Sequence, residues 1–300
     1  MPAKEPRFFA MKDIDMQRRE MSSRQSAPPV RSSAQTAAKR PRTLDGYMAL
    51  FAGAGSQQRI GEATPAYLRS SLAPGRIAAV RPDARIIAIL REPTSFLRSF
   101  HLQSVRGYNE TQKDFQKAIA LVEPRREGRS VPRLSRTPWD LLYTDHVRYV
   151  EQLRRYNAVF APEQILVLIY EDFRRENEAV VRTVLRFLDV DDTLPIHTVE
   201  TRRSRDVRYQ QLHKLVNLRR IALRDLPVAG ALSRTINTLT PAPLRGTVRS
   251  NWRRVGFGEA LPPDEQFMLE LRRRFKPEVQ ALSDYLGRDL VSLWGYEHIS

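Results

Sequence analysis

An α/β fold built on a parallel sheet is what this 300-residue chain predicts, and two apolar runs alternating with helical patterns carry that prediction. Ile86 to Leu90 and Ile165 to Tyr170 run without a polar break, which suits parallel strands covered on both faces. Asp140 to Tyr156 and Glu176 to Leu188 space their apolar residues as a helix does. The order strand, helix, strand, helix is that of parallel strands joined by crossovers.

The elements follow in chain order. Residues 11–42 read as a mobile insertion, because Ser, Pro, Gln, Arg and Lys predominate from Ser22 to Arg42 with few core-forming side chains. Thr43 is placed to cap a helix over Tyr47 to Phe51, and Gly53-Ala54-Gly55 reads as its C-terminal turn. A short extended piece near Ile60 and a helix around Arg76 to Val80 precede the first strand. After Leu90, Arg91 closes that strand and Pro93 suits the first turn of a helix, where its missing N–H costs nothing. From Asp140 to Tyr156, Leu142, Val147, Val150 and Leu153 mark one buried helical face. Beyond Pro195 a basic helix is expected over Val207 to Leu226, a loop-rich basic segment over Pro241 to Gly258, and a helix over Pro263 to Leu286 ending at Gly287. The whole is expected as one domain over 1–300, with a mobile segment at 18–42.

Composition narrows the function classes. The 41% hydrophobic content supports one substantial core. The chain has no cysteine, so disulfides and thiolate metal sites are excluded, and His101, His146, His197, His213 and His298 lack close metal-ligand spacing. No apolar run is long enough to cross a bilayer and no signal-peptide pattern follows Met1, so a cytoplasmic protein is expected. The net charge of +16 implies a field that attracts polyanions such as a phosphorylated nucleotide or an anionic glycan; a merely solvated basic surface gives the same excess. No nucleic-acid recognition motif accompanies it.

Chemistry concentrates in a few motifs. In Ala84 to Ser99, ARIIAILREPTSFLRS, a buried strand delivers an arginine and then a serine to a helix start, an arrangement that suits a phosphate. KEPRFF (Lys4 to Phe9), IGEATPAYL (Ile60 to Leu68), DHVRYVEQLRRY (Asp145 to Tyr156) and EQILVLIYEDF (Glu163 to Phe173) accompany it in a fixed order. Taken together they resemble the sulfotransferase family, in particular bacterial members similar to heparan sulfate sulfotransferases, over about Lys4 to Tyr296.

That resemblance implies a three-layer, P-loop-kinase-like fold and 3′-phosphoadenosine 5′-phosphosulfate as sulfuryl donor, with no metal. The family pattern Arg-x-Pro-x-x-Arg-x-x-Ser falls on Arg91, Pro93, Phe96 and Ser99, so Arg91 and Ser99 are expected to hold the donor's 3′-phosphate. Phe96 replaces the middle arginine, and Arg98 is a neighbouring cation that could act in its place. Glu5 falls on the family's general base, with Arg7 on the acceptor side. Glu62 reads either as a site residue or as a helix cap, and Ala63 stands where several relatives carry a lysine. Tyr143 and His146 match positions near the cleft, with His146 expected as a packed core histidine. Arg253 and Arg254 fall near the basic loop that covers the nucleotide in relatives.

Relatives also begin with a strand and a Pro-Lys-x-Gly-Thr-Thr-like loop before the KEPRFF segment, whereas this sequence starts three residues before Lys4. An N-terminally truncated form with weak or no activity is therefore expected. The expected function is sulfuryl transfer to a hydroxyl or amine, the acceptor being a carbohydrate, lipid, small metabolite or protein tyrosine. The alternative is a non-catalytic pseudoenzyme or polyanion-binding protein. A nucleotide kinase is disfavoured because no Walker lysine and no magnesium-binding Ser/Thr is found.

Overall fold

The computed structural model describes residues 5–16, 41–55, 59–107, 109–132, 135, 137–197 and 263–299, together with the backbone of 205–207 and 257–259. Two runs of branched and aliphatic residues pair as expected: β1 (Ile86–Leu90) lies parallel to β2 (Ile165–Ile169), in register from Ile86↔Ile165 to Leu90↔Ile169. Between them the chain crosses over through helices. Before β1 come a helix at 11–16 (α1), α2 (Leu44–Met48) with a 3₁₀ turn at Ala49–Phe51, α3 (Ala66–Arg69) and α4 (Ala73–Val80). After β1 follow α5 (Pro93–Arg106), α6 (Phe115–Ala120), α7 (Val122–Arg126), two 3₁₀ turns and α8 (Tyr149–Asn157).

Beyond β2 the chain turns at once into α9 (Tyr170–Arg175) and α10 (Asn177–Phe187). A short antiparallel pair, β3 (Arg205–Val207) with β4 (Phe257–Glu259), precedes α11 (Glu265–Leu286) and α12 (Leu290–Leu293). Leu271, Phe275, Val279 and Leu282 recur every three or four positions along α11 and are buried with Leu90, Leu97, Tyr143 and Leu153 in the main core. Asp264 caps the start of α11, and Gly287 ends it in the left-handed conformation, φ 60°. A second cluster joins Phe8, Phe9, Tyr47, Ile77, Tyr156 and Phe160 and packs against Ile86 and Ile165, where the two strands begin.

Four expectations need correction. Residues 11–16 form a helix that buries Asp13 and Ile14, where a mobile insertion was expected; 17–40 lie outside the described residues, as do 208–226 of the helix expected over Val207 to Leu226, while Val207 itself ends β3. The stretch 140–156 is broken into the 3₁₀ turns Pro138–Leu141 and Tyr143–Val147 before α8, since Leu142 and Arg148 leave the helical conformation at ψ 72° and 62°. A further helix, α9, starts directly where β2 ends. Finally β1 is covered on one face only among the described residues: Ala88 and Leu90 are buried, while Ile87 and Ile89 are 37% and 54% exposed. Thr43 caps α2 through the amide of Gly46, as expected.

Candidate functional site

The segment after Lys4 is pinned in an unusual backbone. Glu5 and Arg7 both adopt positive φ, 56° and 58°, a conformation that costs a non-glycine residue about 1–3 kcal/mol and persists only when its surroundings hold it. They do hold it. Phe8 stacks on Tyr47 with centroids 4.8 Å apart, Phe9 packs edge-on against Tyr47 and Tyr67, and Arg76 Nη1 donates to the carbonyls of Phe8 and Phe9 at 3.1 and 2.8 Å.

The segment leading into α3 supplies a second anchor. The amide of Arg7 donates to Thr64 Oγ1 at 3.4 Å, and that hydroxyl donates to Glu62 Oε2 at 2.7 Å. Tyr67 donates its hydroxyl to the other Glu62 oxygen. Burial, together with the Glu62 charge, pushes the Tyr67 phenol well above its ordinary range, so it remains a donor. Glu62 therefore braces the Glu5–Arg7 segment with both of its oxygens engaged.

Arg7 reaches towards two carboxylates. Its Nη2 donates to Glu5 Oε2 at 3.4 Å, and its Nη1 lies 3.9 Å from Asp140 Oδ2. Asp140 is held from behind by Arg69, whose Nη2 donates to Oδ1 at 2.8 Å while its Nη1 donates to the Trp139 carbonyl, also at 2.8 Å. His146 Nε2 sits 3.0 Å from the Asp140 carbonyl and 3.4 Å from Arg69 Nη1, so the Nε2–H tautomer, donating to that carbonyl, fits the contact. Burial first, and then the Arg69 charge, bring the His146 imidazole down to about 3, so it is neutral at physiological pH.

The β1 end supplies the other half. Arg91 lies with its guanidinium 4.9 Å above the Tyr170 ring, its carbonyl accepts from Tyr149 at 2.9 Å, and its Nε is buried without a hydrogen bond. Glu92 caps α5, accepting from the amides of Thr94 and Ser95 at 3.0 and 2.7 Å and from the Tyr296 hydroxyl. Burial alone would raise the Glu92 carboxyl; the hydrogen bonds from Ser95, Tyr296 and Thr94 outweigh it and hold the group below its usual value.

Ser99 sits half-buried two turns into α5. Phe96 stacks on Phe100 at 5.8 Å, and Phe100 meets His146 at 4.4 Å, so α5 and the Asp140–His146 turns share an aromatic wall. Arg98 lies over the ring of Phe115, 5.9 Å from its centroid.

Of the residues expected from sequence, the structure thus brings Glu5, Arg7 and Glu62 into one cluster and sets Arg91 and Ser99 on β1–α5, where Phe96 and Phe100 of α5 pack against His146. Arg253 and Arg254 lie outside the described residues. Sequence reasoning missed Thr64, Tyr67, Arg69, Asp140 and Tyr170 as parts of this network. For Tyr170 the structure supplies the reason: the in-register pairing Leu90↔Ile169 places the next two residues, Arg91 and Tyr170, side by side. Among the described residues no group of His, Asp or Glu is arranged to hold a metal, and no helix is long and apolar enough to cross a membrane.

Residues 4–193 match the model of the Sulfotransferase family. The fold is similar to the crystal structure of a sulfotransferase from Alicyclobacillus acidocaldarius, with a TM-score of 0.53 and 26% identity, covering 76% of this chain and 86% of that one. No curated protein matches.

Proposed function

This chain belongs to the sulfotransferase family, and from that premise we propose that it moves a sulfuryl group from 3′-phosphoadenosine 5′-phosphosulfate to a hydroxyl or amine acceptor, a carbohydrate being the first class to test. The buried, unpartnered Nε of Arg91 beside the start of α5 is the observation that carries the donor assignment. Arg91 and Ser99 hold the 3′-phosphate. Thr94 and Ser95 amides are already taken by Glu92, so the guanidinium is the main anion contact at this end. Bound there, the donor supplies an activated sulfuryl group and a stable bisphosphate leaving group.

Glu5 accepts the acceptor's proton as the new S–O or S–N bond forms and the bond from sulfur to the leaving phosphate oxygen breaks. Arg7 orients the acceptor from the next residue but one, and Glu62 keeps the segment in place. The strained backbone at Glu5 and Arg7 supports this reading, because such conformations are retained where geometry serves function.

Calorimetry with 3′-phosphoadenosine 5′-phosphate tests the donor half. Binding by the chain that is lost in Arg91→Ala is the expected result; a folded chain that does not bind would move the reading to a pseudoenzyme using its basic surface for polyanions. Turnover with the full donor tests the rest: Glu5→Gln is expected to lower kcat by about 10²-fold or more without weakening bisphosphate binding.

A further inference from the structure

Arg7 lies between two carboxylates and makes one long hydrogen bond, to Glu5, closing as a two-point pair on neither. Two other arginines close on their partners with two hydrogen bonds each: Arg125 donates to both Glu110 oxygens at 2.7 and 2.9 Å, and Arg126 donates to Asp145 at 2.7 and 3.2 Å. Arg7 instead stands 3.4 Å from Glu5 and 3.9 Å from Asp140, and its Nε and Nη1 are buried without a hydrogen bond. Its backbone cannot follow its side chain, since its amide is tied to Thr64 and the carbonyls of Phe8 and Phe9 are tied to Arg76. Only the side chain is free to choose.

Asp140 sets that choice. Its carboxylate is clamped by Arg69 at 2.8 Å and its carbonyl by His146, so it does not move towards Arg7. The charged groups around Arg7 are Glu5, Asp140 and Arg69, with Glu62 one hydroxyl away through Thr64 and His146 uncharged. Neutralising Asp140 would leave Arg69 without its ion-pair partner, and the nearest carboxylate left for Arg7 is Glu5.

We propose that Asp140 is a positioning residue that draws the Arg7 guanidinium back from Glu5, keeping the Glu5 carboxylate open to accept a proton. The inference rests on the assignment of Glu5 as the base. A Glu5 closed into a bidentate pair would have to break that pair before each proton transfer, and each 1.4 kcal/mol of added barrier slows the step about tenfold.

Asp140→Asn keeps the size of the side chain and an oxygen for Arg69 while removing the charge. It is expected to lower kcat about tenfold with bisphosphate affinity unchanged, and the loss is expected to vanish when the same change is made in an Arg7→Gln background, where no guanidinium remains to close on Glu5. Equal losses in both backgrounds would mean a structural role for Asp140 and overturn the proposal. A second readout needs no turnover: coupling of Glu5 to glycinamide by a carbodiimide, followed by mass spectrometry. Asp140→Asn is expected to slow that labelling severalfold, and an unchanged rate would overturn the proposal. If Glu5→Gln retains full turnover, the base assignment fails by itself, while the labelling ratio still decides whether Asp140 holds Arg7 away from Glu5.

Discussion

The ion pair between Arg125 and Glu110 is the firmest place to test the energetics, because both side chains are almost wholly enclosed, at 1% and 0% exposure. Arg125 spends its donors on both Glu110 oxygens and on the Ser130 carbonyl at 3.3 Å. Glu110 also accepts from the amides of Thr111 and Gln112, both at 2.7 Å, and from the Tyr143 hydroxyl at 3.0 Å. The two partners are therefore not equivalent. In Arg125→Met the carboxylate keeps three donors, and the expected cost is about 3 kcal/mol. In Glu110→Gln the guanidinium keeps one neutral oxygen and meets an amide NH₂ head-on, so about 4–5 kcal/mol is expected. The double variant should cost well below the sum, with a coupling of about 3 kcal/mol or more, since neither charge is then stranded. Urea unfolding followed by both far-ultraviolet circular dichroism and tryptophan fluorescence gives these numbers. Single-variant costs under about 1 kcal/mol, or strict additivity, would refute the reasoning.

Two further predictions concern other parts of the molecule. His146, neutral when folded down to about pH 3, takes up a proton in the unfolded chain below about pH 6.5, so its contribution is complete above that value and is lost as pH falls towards 3. Between pH 6.5 and 4.5, above the main carboxylate range, stability should fall with a slope of at most about 1.4 kcal/mol per pH unit from this group, and His146→Gln should flatten it. A slope unchanged by the substitution would sink the assignment. At the end of α11, Gly287→Ala meets no atom within 4 Å but must adopt φ 60°, so thermal unfolding should report a cost of about 1 kcal/mol from backbone strain alone.

The sheet was legible because its signal is local: uninterrupted apolar runs, a proline after Arg91 and a glycine after Leu286 each act over a handful of residues. The break within 140–156 was not, since the apolar spacing there continues across residues whose backbone turns away. Exposure of Ile87 and Ile89 was equally hidden, because a run of aliphatics looks the same whether one face or two are covered. At the site, Glu5, Arg7, Arg91 and Ser99 stood out through motif order. The contacts that orient them did not: Arg69 meets Asp140 across 71 residues and Tyr149 meets the Arg91 carbonyl across 58, and neither partner carries a pattern that announces the other.

The cap on α5 joins Glu92 to Tyr296, 204 positions downstream. During synthesis the β1–α5 turn leaves the ribosome long before the tyrosine that satisfies its buried carboxylate exists, and the α11–α12 region must be made and docked before Glu92 loses its dependence on water. The nascent chain thus carries an unfinished β1–α5 corner through most of its elongation. Competence of that corner becomes a report that the distant helices have folded.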